Sequence, residues 1–308
     1  MGDRIIPRPP EALVATLQQA ITQATQRLNP SPTARRDAEL LLLHITGLTR
    51  ADLLTHPERP LPEEQRVAYD GAIVRRQQQE PVQYITGVQE FYGRPFRVTP
   101  AVLIPRPETE HIVEAAMEAA VTLGARDPMR LLDVGTGSGI LAVTLALQYP
   151  HATVTATDIS SAALAIAQQN AQTHGVSGRI RFLQSDLLKA LEGQHFDLIV
   201  SNLPYVGNDE PLEPQVVHFE PHTALFAGPD GLTLYRRLIP GAAAALVPGG
   251  HLLLEIGQGQ QSAIEQLLNE AHLTGVHVLP DLQGIPRVAV AASEDPVVAS
   301  DRLRAIRN

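Results

Sequence analysis

Apolar positions recur every three to four residues along the first 80 residues of the chain, and the rhythm then changes. EALVATLQQAITQATQRL sets Leu13, Leu17, Ala20, Ile21, Ala24 and Leu28 on one stripe, the spacing of an amphipathic helix. Asn29-Pro30-Ser31-Pro32 ends it, Thr33 is placed to cap ARRDAELLLLHITG, and Gly47 stops that second helix. Thr49 caps a short helix before His56-Pro57, and LPEEQRVAYDGAIVRRQQQ restarts with a proline-led, acidic first turn. Short helices with short joints predict a small bundle over 1–80.

From Pro81 the pattern is β-branched and aromatic. PVQYITGVQEFYGRPFRVTPAVLIPRP, broken by Gly87, Gly93, Pro95 and Pro100, predicts a β-hairpin linker over 81–105. Strands and helices alternate from 106 to 296: RLLDVG, ATVTATD, RIRFLQSD, HFDLIVSN, GGHLLLEIG, TGVHVLPD and RVAVAAS read as seven strands with helices between most of them. Alternating β and α predicts an α/β domain with a mostly parallel sheet covered on both faces. No helical pattern separates the last two strands, so they form an antiparallel pair. Residues 297–308 are a basic C-terminal tail.

The chemistry concentrates at strand ends. LLDVGTGSGILAVTLA runs a hydrophobic strand into Gly135-Thr136-Gly137-Ser138-Gly139 and then a helix. Glycines there let the backbone turn tightly and approach a cofactor closely, although a tight βα turn also wants glycine for itself. Asp158 ends the next strand nineteen positions after Gly139, where an acidic side chain accepts ribose hydroxyls or caps the following helix. The G-x-G-x-G spacing after Asp133, rather than G-x-G-x-x-G, is typical of S-adenosylmethionine (SAM) methyltransferases. Asp186 at the third strand end then faces the adenine, with Leu187 as an apolar wall, or serves as a helix cap.

IVSNLPYVG places Asn202 at the carboxyl end of the fourth strand, where open α/β folds have their crevice. An amide or exocyclic nitrogen has a delocalised lone pair and must be aimed to attack a methyl group. Two acceptors for its N–H protons, Asn202 Oδ1 and the carbonyl of Leu203, would do that. Pro204 stiffens the backbone behind them, and Tyr205 offers a flat face to the amide or base. Asn202 also borders the cofactor. Read without context, Asn-x-Pro-Tyr is a turn.

Over nearly its full length the chain resembles the release-factor glutamine N5-methyltransferases, the HemK/PrmC family. PVQYITGVQEFYGRPFRVTPAVLIPRPETE, LLDVGTGSG and IVSNLPYV carry the resemblance, the first most specifically. It implies a Rossmann-like seven-stranded methyltransferase sheet with its last strand pair antiparallel, joined through the hairpin linker to the helical bundle. It implies SAM as cofactor and a bundle that helps dock the substrate. That substrate is the glutamine of the Gly-Gly-Gln motif in class I peptide chain release factors. From the IPRPETE segment it carries Arg106, and less firmly Leu103, into the substrate pocket. FEPHTALFAGPDGL, with Glu220 and Pro221, resembles a loop near the family's site. The chain departs at Leu203, where the family motif reads Asn-Pro-Pro-Tyr. Asn-Leu-Pro-Tyr is familiar from rRNA adenine dimethyltransferases, so the four residues alone leave a nucleic-acid adenine N6 acceptor open. A SAM-binding module without catalysis is the remaining alternative.

Composition narrows these readings. With 33 acidic and 24 basic residues among 308 the net charge is −9, which argues against a nucleic-acid groove as the main business of the surface. No cysteine is present, so thiolate metal sites, disulfides and Cys nucleophiles are excluded. His218, Glu220 and His222 lie close in sequence, but their setting reads as a loop, and no metal is expected. No segment reaches membrane-spanning length. The expectation is a monomeric cytoplasmic enzyme acting on a protein.

Overall fold

The computed structural model describes residues 15–124 and 128–294. Two compact units divide the chain between Thr86 and Gly87. Leu13 and the basic C-terminal tail lie outside the described residues.

The first unit holds helices α1 (Leu17–Leu28), α2 (Ala34–Thr46), α3 (Arg50–Thr55), α4 (Glu63–Gln77) and α5 (Val82–Thr86). The stripe Leu17, Ala20, Ile21, Ala24 and Leu28 is buried, packed with Leu41, Leu42, Leu61 and Ile73. Gly47 ends α2 in the left-handed conformation (φ 67°), and Thr49 exchanges hydrogen bonds with Asp52 in a capping box. Thr33 differs from its expected role. Its hydroxyl donates to Asp37 Oδ2 (2.9 Å) and caps no backbone N–H, because Asp37 is drawn inward by Arg76 (2.8 Å). The sequence reads as strand from Pro81, whereas the structure first makes the α5 turn, burying Tyr84.

The second unit opens with a hairpin, β1 (Val88–Phe91) and β2 (Arg94–Arg97). Tyr92 and Gly93 both take positive φ (50° and 68°), as a two-residue turn between twisted strands requires. Phe91 and Phe96 meet edge to face at 6.1 Å in the core. After α6 (Glu110–Thr122) come β3 (Arg130–Val134), α7 (Ile140–Gln148), β4 (Thr153–Asp158), α8 (Ser161–Thr173), β5 (Ile180–Gln184) and β6 (Phe196–Ser201). The chain continues through α9 (Pro214–Phe219), α10 (Thr233–Ala245), β7 (Leu246–Glu255), α11 (Gln261–Glu270), β8 (Thr274–Pro280) and β9 (Pro286–Ala292).

The seven strands β3 to β9 form one sheet in the order β5-β4-β3-β6-β7-β9-β8. The pairs from β5 to β7 are parallel, and β9 runs antiparallel to both β7 and β8. The expected Rossmann-like sheet with an antiparallel final pair is present. All six residues of β6 are buried, as the middle strand of a doubly covered sheet must be. Leu198 and Val200 pack with α6 and α7 on one face, Ile199 with α10 and α11 on the other. Strand order reverses between β3 and β6, so their carboxyl ends flank the crevice where such sheets bind ligands. No helix among the described residues is long and apolar enough to cross a membrane.

Candidate active site

Val134 and Ser201 are register partners at the ends of β3 and β6, which sets the glycine loop beside the Asn-Leu-Pro-Tyr motif. A cavity of about 350 Å³ opens there. Of the residues picked from sequence, Gly135, Thr136, Gly137, Ser138, Asp158, Asp186, Leu187, Asn202, Leu203, Pro204 and Leu103 line it. Gly139, Tyr205 and Arg106 do not.

The loop is held by its neighbours. The N–H groups of Gly135 and Thr136 donate to the Thr157 carbonyl (2.8 and 2.9 Å), and that of Gly137 donates to Asp158 Oδ2 (2.9 Å). Gly139 caps α7 at φ 83°, and a Cβ there would meet Ala167 Cβ at 2.9 Å, so this third glycine serves helix packing. Over Gly137 a Cβ would meet nothing within 4 Å, which leaves room for a ligand against the backbone. Beneath the loop, buried Asp133 accepts from the Thr136 hydroxyl (2.6 Å) and the Ala142 N–H (3.1 Å). Burial pushes its carboxyl up to about 7.

Asp158 Oδ1 accepts from Ser160 N–H (2.9 Å) while Oδ2 takes Gly137 N–H, so backbone donors fix the carboxylate in the cavity wall. Its pKa is raised, chiefly by burial. Asp186 is clamped by Lys189 and Arg237, each at 2.7 Å, and these donors hold its carboxyl below the usual range. Leu187 takes a left-handed φ of 54°, an unusual conformation for leucine, and turns at the cavity edge. An open backbone surface over Gly137, a ribose-competent carboxylate and a leucine wall beside Asp186 fit SAM.

At the end of β6, Asn202 Nδ2 donates to Thr109 Oγ1 (3.0 Å). Asn202 Oδ1 and the Leu203 carbonyl accept no hydrogen bond from any described residue. Leu203 is buried, covering Gly135. Tyr205 stands behind the cavity wall, its hydroxyl directed at Glu255 (3.5 Å) and its carbonyl taking Gln260 Nε2 (2.8 Å). A Cβ on Gly231 would strike that carbonyl at 2.1 Å, so glycine is required where the two segments cross. Val206 pairs with Phe226, tying the motif to the FEPHTALFAGPDGL segment. Arg106 Nη2 donates to Glu220 Oε1 (2.6 Å), and Glu220 Oε2 accepts the Ile104 N–H (3.0 Å). Arg106 thus braces the IPRPETE segment against the buried Glu220.

Sequence reasoning passed over Thr109, Glu255, Asn170 and Arg237. Asn170 ties the hairpin to the glycine loop, accepting from Arg97 N–H (2.7 Å) and donating to the carbonyls of Arg97 and Ser138 (3.0 and 2.7 Å). A signal existed for Glu255: a lone carboxylate closing the apolar strand LLLE. Among the described residues no group of three or more His, Cys, Asp or Glu is arranged to hold a metal ion.

Comparison with known proteins matches this geometry. A family model described as the PrmC N-terminal domain matches residues 19–87, and one for the methyltransferase small domain matches 117–218. The chain is 48% identical to the release factor glutamine methyltransferase of Koribacter versatilis over 281 residues, 89% of this chain and 98% of that one. Identity to the Escherichia coli release factor glutamine methyltransferase is 42% over 250 residues, covering 81% and 88%. Among solved structures, the T. thermophilus 16S rRNA methyltransferase RsmC, determined with AdoMet and guanosine, superposes with TM-score 0.51. Identity there is 23% over 67% of this chain and 50% of that one, a likeness of fold. Together with relatives of this identity and coverage, the motifs and sheet place the chain in the release factor glutamine methyltransferase family.

Proposed function

We propose that this protein methylates the side-chain N5 nitrogen of the glutamine in the Gly-Gly-Gln motif of class I peptide release factors. The observation that carries the reading is the pair of free acceptors, Asn202 Oδ1 and the Leu203 carbonyl, at the edge of a cavity that fits SAM. Two acceptors match the two protons of a primary amide nitrogen. They hold it so that its lone pair faces the methyl group, and orientation is the main contribution a protein can make to such a transfer. When bound, SAM would supply an electrophilic methyl group, with its sulfonium sulfur as the leaving group that takes the electron pair. The nitrogen then releases one proton to water.

Asp158 would accept the ribose hydroxyls, Asp186 and Leu187 would border the adenine, and the Gly135–Gly139 loop would back the amino-acid end. Pro204 fixes the backbone after the acceptors. Tyr205 lies behind the wall, and its part is to support the motif rather than to stack on the substrate. The helical unit is read as the docking element for the release factor. The acidic balance of the chain favours a protein acceptor over nucleic acid. The protein is taken to act as a cytoplasmic monomer.

Incubation with labelled SAM and purified release factor should label one glutamine, and mutation of that glutamine should abolish labelling. Asn202→Ala should lower kcat by about 100-fold or more while SAM affinity stays within about threefold. Absence of transfer to any release factor would reject the substrate. Persistence of turnover in Asn202→Ala would reject the acceptor role.

A further inference from the structure

We infer that Asn170 is a positioning residue for the cofactor: it ties the glycine loop to the β1–β2 hairpin and so sets the spacing between two walls of the cavity. The inference rests on SAM as the occupant of that cavity and makes no use of the methyl acceptor.

Asn170 lies in α8, only 2% exposed, and its side-chain amide meets main-chain groups on two sides. Oδ1 accepts the Arg97 N–H (2.7 Å), while Nδ2 donates to the Arg97 carbonyl (3.0 Å) and the Ser138 carbonyl (2.7 Å). These partners settle which way round the amide sits, because a carbonyl needs a donor and an N–H an acceptor. Toward β2, the side chain takes both main-chain groups of Arg97, as a neighbouring strand would. Toward the loop, it holds Ser138, the residue between the open surface over Gly137 and the packed Gly139.

The same helix carries both partners. One turn before Asn170, Ala167 is the surface on which Gly139 packs. One turn after it, the His174 ring contacts the Pro95 carbonyl (2.9 Å) and lies 4.7 Å from the Phe96 ring, centre to centre. A two-stranded hairpin is barely stable by itself and takes its place from what it packs on. That place matters to the cavity, because the chain runs from Arg97 directly into one of its walls. Val98 N–H closes on the Gly87 carbonyl (3.0 Å), and Ala101, Val102 and Leu103 then line the cavity. The glycine loop from Gly135 to Ser138 is another wall. Asn170 therefore bonds to the root of one wall and to the backbone of the other.

With the tie in place, the loop is already shaped when SAM arrives. Without it, part of the binding energy goes into ordering the loop. Asn170→Ala should raise the Kd for SAM about tenfold, measured by calorimetric titration of the full chain. Loss of fold stability alone is controlled by Leu268→Ala, a truncation in the core beneath α11. At a urea concentration or temperature where the two variants are equally folded, Leu268→Ala should stay within about twofold of the wild-type Kd.

Coupling is reciprocal, so SAM must also restrain the hairpin. Amide hydrogen exchange followed by NMR reads this without any turnover. In the wild type, SAM should slow exchange at Val98 by several-fold more than at Ser293, whose N–H bonds the Gly250 carbonyl (2.8 Å) at the end of β9. In Asn170→Ala that excess should vanish. The inference is overturned by an Asn170→Ala protein that binds SAM within about twofold of wild type. It is overturned equally if Leu268→Ala weakens SAM as much. Should Asn170→Ala not fold, the wild type alone decides: equal slowing at Val98 and Ser293 rejects the coupling. Failure to methylate release factors would count against the proposed substrate and leave these results standing.

Discussion

The Cδ2 atom of Leu203 stands 2.9 Å from the point a Cβ on Gly135 would occupy, so the acceptor motif is packed directly on the cofactor loop. Gly135 also sits at φ 76°. Gly135→Ala therefore meets both strain and a clash. Gly137 shares the positive φ (55°) but has open space above it. We expect Gly135→Ala to lower stability by about 2–4 kcal/mol and Gly137→Ala by about 1–2 kcal/mol. Gly137→Ala should instead weaken SAM binding disproportionately, since its methyl enters the cavity. Denaturant unfolding and calorimetric titration with SAM check this; equal unfolding costs would contradict it.

Leu203 itself contributes a carbonyl and a packing group. Its N–H donates to no described residue, so a proline at this position loses no hydrogen bond. Leu203→Pro keeps the carbonyl and gives up part of the contact with Gly135. The expected outcome is kcat within about threefold of wild type and a stability loss of about 1 kcal/mol. Steady-state methyl transfer and thermal unfolding on the same preparation test it. A loss of kcat beyond tenfold would mean that the leucine side chain shapes the site.

These two residues also show what the sequence could reveal. Strand ends are visible as apolar runs stopping at Gly135, Asp158, Asp186 and Asn202, and the parallel register brings those ends to one edge. The sheet, its antiparallel final pair and most of the cavity wall follow from that pattern. Convergence from elsewhere does not. Thr109 reads as the start of a helix and Glu255 as the end of a strand, and only the packing of α6 against β6 and β7 brings them to Asn202 and Tyr205. Arg106 and Tyr205 were expected at the pocket, yet each is turned toward a buried glutamate. A motif gives the residues but not the direction of their side chains.

Arg106 can be distinguished as brace or substrate contact by stability. Glu220 is buried, and Arg106 and the Ile104 N–H are its hydrogen-bond donors among the described residues. Arg106→Ala leaves that carboxylate short of its cation, which should cost roughly 3 kcal/mol. The double variant Arg106→Ala/Glu220→Gln should recover a good part of the loss. Urea unfolding of the four proteins closes the double-mutant cycle. A side chain acting only on substrate would leave stability untouched and the cycle would show no coupling.

The buried carboxyl of Asp133 predicts a pH dependence with a definite sign. Its pKa is about 7 in the folded protein against an ordinary value near 4 in the unfolded chain. Below pH 4 both states hold the proton and the group contributes nothing. Between about 4 and 7 the unfolded chain has released its proton while the folded one keeps it, so stability falls as pH rises, levelling off above 7. Glu255, also near 7 through burial, and Asp158, raised by burial, slope the same way, whereas paired Asp186 and Asp230 slope oppositely at lower pH. The wild-type curve is a sum, and the informative quantity is a difference. Asp133→Asn preserves an acceptor for Thr136 and Ala142 and removes the titration. Relative to wild type, it should gain about 1–4 kcal/mol between pH 4.5 and pH 8, measured by denaturant unfolding across that range. Any fixed cost of placing an amide N–H₂ where Oδ1 has no partner cancels in that comparison. A difference that stayed constant with pH would show that Asp133 is ionised in the native protein throughout the range, its charge held by the Thr136 hydroxyl and the Ala142 N–H.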